Sequence, residues 1–172
     1  TGGYIVRQGE TWRKKYSNTF DYCAIDENGD LHMIMRGKAS QESEIQALLQ
    51  EHTIVNALYF GPALIKDGAV QPLPEKFIIS TGSDIREPRA AIGQLGPLSY
   101  ALVVVTGRSD SSEGVSLQSL AGIMLELGCK QAYNLDGGGS ATLAFHGDYY
   151  STQSANVRSL SDILYFSTAV GE

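Results

Sequence analysis

Apolar residues along this chain fall mostly in short runs bounded by turn residues, and only two stretches repeat at helical spacing. Tyr4 to Arg7 reads as a strand closed by a Gln8-Gly9-Glu10 turn. Tyr22 to Ile25 and Leu31 to Met35 flank Asp26-Glu27-Asn28-Gly29-Asp30, whose Asn-Gly pair predicts a hairpin. Ser43 to Gln50 sets Ile45, Leu48 and Leu49 on one helical face, and Ile54 to Phe60 reads as a buried strand broken at Gly61-Pro62. Lys66-Asp67-Gly68 is a tight turn, and Gln71 to Glu75 a surface loop. Arg89 to Leu95 and Tyr100 to Thr106 are further strands. The second is so uniformly apolar that it is expected at the centre of a sheet, covered on both faces. Ser116 to Leu127 is the best helix, with Leu117, Leu120, Ala121, Met124 and Leu127 on one face, Ser116 as its cap and Gly128 as its stop. Gln131 to Leu135, Ala141 to Phe145 and Ile163 to Phe166 complete the strands.

Many strands and two main helices predict an α+β fold with a mixed, mostly antiparallel sheet, in a single domain over residues 1–172. At 172 residues the chain is long enough to bury a core without disulfide or metal staples. The net charge of -6 argues against nucleic acid as a partner, because counterion release needs a basic face. An anionic ligand must then be met by a few placed arginines. Cys23 and Cys129 form no CxxC pair and read as buried free thiols, with one disulfide as the alternative. No apolar run approaches the roughly 20 residues of a membrane span, so no membrane contact is expected from this segment. The chain opens at Thr1-Gly2-Gly3-Tyr4 without methionine, so a leader or anchor is expected to have been removed.

The segment that invites chemistry is Asn134-Leu135-Asp136-Gly137-Gly138-Gly139-Ser140, set between two strands. Three successive glycines can turn their N–H groups towards one anion, and the Ser140 hydroxyl adds a donor. A hairpin turn in which glycine only relieves strain is the plain alternative. Asn134, Asp136 and Ser140 favour function, since a mere turn does not need three polar side chains after an apolar strand. Arg89, opening one strand, and Arg108, closing the next, could grip phosphate bidentately or serve as structural ion-pair partners. The polar stretch Ser109-Asp110-Ser111-Ser112-Glu113-Gly114 could close over a ligand or remain a solvated loop; Arg158 is a weaker candidate. There is no P-loop and no nucleophile elbow. His32, His52 and His146 show no zinc spacing and read as surface or satisfied core residues.

In order along the chain, Phe60-Gly61-Pro62-Ala63-Leu64, Lys66-Asp67-Gly68, Pro88-Arg89-Ala90-Ala91-Ile92-Gly93, Gly107-Arg108, Ser112-Glu113-Gly114, Leu127-Gly128, Asn134 to Ser140 and Arg158 resemble the phosphodiester glycosidase family. The resemblance covers nearly the whole chain. Members of that family typically begin with an Asn-Gly motif just before the region matching Thr1 to Tyr4, which this chain lacks. Ser119 also stands where a glutamate is common.

The resemblance implies a hydrolase that cleaves the anomeric C–O bond of a sugar-1-phosphodiester. Arg89, Arg108 and the loop of Gly137, Gly138 and Gly139 would hold the departing phosphate, and Asp136 would act as base on water or stabilise the oxocarbenium-like sugar. Asn134, Ser140, Ser112 and Arg158 would orient substrate. Members associated with exopolysaccharides imply a sugar phosphodiester or polysaccharide substrate and an extracellular or cell-envelope setting in a bacterium. No cofactor is expected; a divalent cation on Asp136 and Asn134 is possible. Two other readings stay open: a non-catalytic module binding carbohydrate or envelope polymer, and an N-terminal nucleophile at Thr1.

Overall fold

The computed structural model describes residues 3–16, 19–37, 41–78, 81–151, 159–160 and 162–166. The first part of the chain runs β1 (Gly3–Arg7), β2 (Glu10–Lys15), β3 (Tyr22–Asp26), β4 (Leu31–Ile34), α1 (Gln41–Glu51) and β5 (Ile54–Tyr59). These strands form a five-stranded sheet in the order β2-β1-β5-β3-β4. The chain continues through β6 (Ala63–Lys66), β7 (Ala69–Val70), β8 (Lys76–Ile78), β9 (Thr81–Gly82), β10 (Arg89–Gly96), β11 (Ser99–Val105), α2 (Leu117–Glu126), β12 (Gln131–Asn134), β13 (Leu143–Phe145) and β14 (Asp148–Ser151). A second five-stranded sheet has the order β11-β10-β12-β6-β7, and β8-β9 and β13-β14 are small hairpins. The α+β class holds, and every pairing among the described residues is antiparallel.

Strand alternation sorts the core into three layers. Tyr22 and Ala24 of β3 face α1, packing with Tyr4, Val6, Ile45 and Ile54. Between them Cys23 points the other way, joining Leu31, Met33, Ala63, Ile92 and Tyr133 in a layer shared by the two sheets. Ala91 and Ala132 face outward from the second sheet onto Leu117, Leu120 and Met124 of α2. The order is therefore helix, sheet, sheet, helix, with the two cysteines free and buried in different layers.

Helix α2 begins and ends as expected. The Ser116 side chain accepts a hydrogen bond from the Ser119 amide at 3.0 Å, and Gly128 sits at φ +86° past the last turn.

Two sequence expectations need correction, and one strand was not expected at all. Tyr100 to Thr106 is not central: β11 lies at the edge of its sheet among the described residues, and Leu102 is 41% exposed. Its lack of alternation reflects partial cover on both faces, with Ala101, Val103 and Val105 against the α2 layer and Tyr100 against the layer between the sheets. Ile163 to Phe166 forms no strand; side chains hold this tail instead, through Arg7 with Asp162 at 2.5 Å and Tyr100 against Phe166. The fully exposed strand β2 went unread because Glu10–Lys15 offers no apolar face.

Two buried polar anchors fix how the second sheet starts. Asp21 accepts hydrogen bonds from the Arg36 amide at 2.6 Å, the Arg36 guanidinium at 2.8 Å and the Ala63 amide at 2.8 Å. The Tyr133 hydroxyl donates to the Asp21 carbonyl at 2.8 Å and accepts from the Phe60 amide at 2.8 Å. Together they bind β12 to the chain around the cis Gly61-Pro62 peptide.

Candidate active site

Strand β12 delivers the glycine loop. The Leu135 amide reaches the Ala90 carbonyl at 2.8 Å, after which the chain leaves the sheet and Gly138–Ser140 closes a single 3-10 turn. The loop packs directly on the entry to β10: the Gly138 amide donates to the Pro88 carbonyl at 2.9 Å, and a Cβ on Gly137 would lie 2.5 Å from that oxygen. Gly138 takes φ +56°, and a Cβ there would meet the Arg108 guanidinium at 3.3 Å. Both positions therefore need glycine, one for backbone approach and one for conformation and for the arginine lying over it.

These bonds narrow the expected anion nest. The amide of Gly138 is spent on Pro88 and that of Ser140 on the Gly137 carbonyl at 3.0 Å, leaving at most the amides of Gly137 and Gly139 for a ligand. The Ser140 hydroxyl donates to Asp136 Oδ2 at 2.7 Å, so serine and aspartate present one polar unit, with Asp136 exposed.

The two arginines separate sharply. Arg108, at φ +54°, carries a side chain 59% exposed and uses only Nε among the described residues, donating to Glu87 Oε2 at 2.5 Å. That hydrogen bond raises its pKa, outweighing the opposite effect of partial burial. Arg89 is buried, with Nε on the Val115 carbonyl at 3.2 Å and Nη2 on the Ile85 carbonyl at 2.8 Å. Burial lowers its pKa, Glu87 acts against this and Arg108 adds to it, as expected for charges sharing one neighbourhood. Arg89 thus braces the loops that carry Glu87 and Val115.

The remaining residues take structural positions. Asn134 is buried, its amide nitrogen donating to the Gly61 carbonyl at 2.8 Å while Oδ1 has no partner among the described residues. The Ser112 hydroxyl donates to the Thr106 carbonyl at 2.7 Å and accepts from the Gly114 amide, and the Ser109 and Ser112 backbones pair with each other. The 109–114 segment is therefore tied down by its own bonds. Arg158, Thr1 and Gly2 lie outside the described residues.

Sequence reasoning missed Glu87. Glu113 and Asp110 stand nearer to Arg108 in the chain, yet Glu113 pairs with Arg86 on the surface. The available signal was an acidic residue directly before Pro88-Arg89. Two surface concavities, one along α1 and one beside Asp21, Arg36 and Pro62, lie away from Asp136 and Arg108, which occupy an open face. One group of three among the described residues could hold a metal, Asp26 with His32 and His52, and it contains none of the residues above.

The fold is an α+β scaffold that sets the Arg108–Glu87 pair and Asp136 with Ser140 at one glycine loop. The model of the phosphodiester glycosidase family matches residues 1–167, and the chain belongs to that family. It is 33% identical over 113 residues to the SPbeta prophage-derived uncharacterized protein YomE of Bacillus subtilis (strain 168), covering 65% of this chain and 17% of that protein. The fold resembles that of the zebrafish N-acetylglucosamine-1-phosphodiester alpha-N-acetylglucosaminidase catalytic domain auto-inhibited by pro-peptide. That likeness has a TM-score of 0.64 and 23% identity, over 87% of this chain and 50% of that one. A hypothetical protein from Synechocystis matches with a TM-score of 0.51 and 21% identity, over 87% and 30%. The chain spans half or less of the length of each of these relatives.

Proposed function

We propose that this chain hydrolyses the glycosidic C–O bond of a sugar-1-phosphodiester on the face where Arg108 overlies Gly138. The observation that carries the reading is the cluster itself: a guanidinium with both terminal nitrogens uncommitted among the described residues, 3.3 Å from a Cβ position at Gly138 and anchored through Nε by Glu87. A guanidinium held at one nitrogen keeps its outer edge free for two phosphate oxygens. A phosphate monoester leaves far more readily than an alcohol, so charge stabilisation by Arg108 replaces much of the acid assistance that ordinary glycosides need.

Asp136, oriented by Ser140, is the carboxylate for the anomeric carbon, either activating water or stabilising positive charge on the sugar. Arg89 and Asn134 act through position: one braces the Glu87 segment, the other clasps Gly61. Family membership supports a hydrolase of this kind.

The test is hydrolysis of a sugar-1-phosphodiester by the wild-type chain and by Asp136→Asn. Turnover by the wild type with a loss of about 100-fold or more in the variant is expected. The open form of the face also favours a second reading, a module that binds carbohydrate phosphodiesters without cleaving them. Saturable binding with no turnover by either protein would select it.

A further inference from the structure

We propose that Asp26, His32 and His52 form a binding site for a divalent transition metal of the zinc class, clamping the β3-β4 hairpin to the junction of α1 and β5. Nothing in the spacing of these residues predicts it; the fold brings them together. Asp26 ends β3, His32 lies in β4, and His52 follows the last turn of α1.

The donor atoms converge. Asp26 Oδ1 is filled by the Asn28 and Asp30 amides, each at 2.9 Å, which locks the carboxylate and leaves Oδ2 facing the two imidazoles. Oδ2 lies 3.0 Å from His32 Nε2 and 3.1 Å from His52 Nδ1, and the three atoms all fall within 4.8 Å of one another. Ligands about 2.0–2.1 Å from a tetrahedral zinc stand roughly 3.3 Å apart, so small side-chain rotations suffice to seat the ion.

The orientation of His52 separates this reading from the plainer one, in which the carboxylate accepts an N–H from each ring. His32 meets that description at 3.0 Å. His52 Nδ1 does not: it is buried and, despite lying 3.1 Å from Oδ2, makes no hydrogen bond. A hydrogen on that nitrogen would not point at Oδ2 well enough to bond it, so the nitrogen is left uncommitted at ligand distance. A buried imidazole nitrogen without a partner is costly in a structure that otherwise satisfies this carboxylate fully.

The chemistry of the donors selects the class of ion. Two imidazoles and one carboxylate suit zinc and its first-row neighbours, whereas calcium and magnesium take oxygen sets. Both histidine side chains are 27% exposed while Asp26 is buried, so an ion would enter past the imidazole edges to the carboxylate beneath them. The backbone amides on Oδ1 act as the outer support that orients a ligating carboxylate. Asp136, Arg108 and Glu87 take no part, so the ion would stabilise the fold without altering turnover.

The chelator-treated chain is titrated with Co2+, followed by visible d–d absorption, and then with Zn2+ in competition. One equivalent of Co2+, displaced by Zn2+, is expected, together with a Zn2+-dependent rise in the thermal unfolding midpoint. Loss of outer-shell support alone weakens metal sites by 10- to 100-fold, so His32→Ala and His52→Ala should each weaken binding by roughly 100-fold or more. Both should also abolish the rise in midpoint, while His146→Ala leaves binding intact. Circular dichroism without metal checks that each variant folds, and His52→Gln replaces His52→Ala if it does not. Absence of saturable binding by the wild type, or binding that survives substitution of both histidines, overturns the proposal.

Discussion

The molecule contains two arginine–carboxylate pairs that look alike in composition and differ in how their donors are spent. In the pair between the sheets, buried Asp21 takes the Arg36 guanidinium and two backbone amides, and Arg36 gives a second nitrogen to the Pro72 carbonyl. At the glycine loop, Glu87 takes only Nε of Arg108, whose outer edge faces solvent above Gly138. In the first arrangement both terminal guanidinium nitrogens are committed within the chain, and the pair holds the chain in place. The second is open on the side where a ligand would arrive. What distinguishes scaffold from site is the number of uncommitted donors, a property of the fold rather than of the residue types.

The comparison breaks most visibly at Asp21. Asp21→Ala strands a guanidinium and two amides, and should cost about 3–5 kcal/mol of unfolding free energy, read by denaturant titration. Arg108→Ala should do the reverse: turnover on a sugar-1-phosphodiester falls by about 100-fold or more, while the melting temperature barely moves. If Arg108→Ala lowers the melting temperature sharply while the fraction that stays folded turns over at the wild-type rate, the two pairs belong to the same class after all. Tyr133→Phe sharpens the scaffold side, because its hydroxyl serves both the Asp21 carbonyl and the Phe60 amide; a loss of about 1–3 kcal/mol with unchanged turnover is expected.

The same distinction explains what could be read from the chain in advance. The hairpin at Asp26 to Asp30, α2 with both its ends, the body of α1 and the loop from Asn134 to Ser140 rest on local patterns, and local patterns survive folding. Arg89 and Arg108 were indistinguishable in sequence because each adjoins a strand end; only burial assigns the first to the Val115 and Ile85 carbonyls. Glu87 escaped notice because its partner lies 21 residues away. His32 and His52 were read singly, as surface or satisfied residues, because their shared neighbour Asp26 emerges only when α1 returns the chain beside the hairpin. The glycine run reads as an anion nest, but part of its donor capacity goes to Pro88, a non-local contact that no periodicity announces.

The smallest effect tests the strand that was misplaced. A uniformly apolar run predicts burial on both faces, and in a central strand Leu102→Lys would be ruinous. As part of an edge strand with Leu102 41% exposed, the lysine can extend its stem over the sheet and keep its charge in water. The expected change is within about 0.5 kcal/mol. Ile92→Ala, one strand further in and fully buried, should cost about 2–5 kcal/mol in the same titration. Ile92 and Leu102 are register partners across β10 and β11, so the two sites share a face and differ in position across the sheet. Equal losses at the two sites would mean that the outer flank of β11 is covered in the folded protein, and the edge assignment would have to be given up.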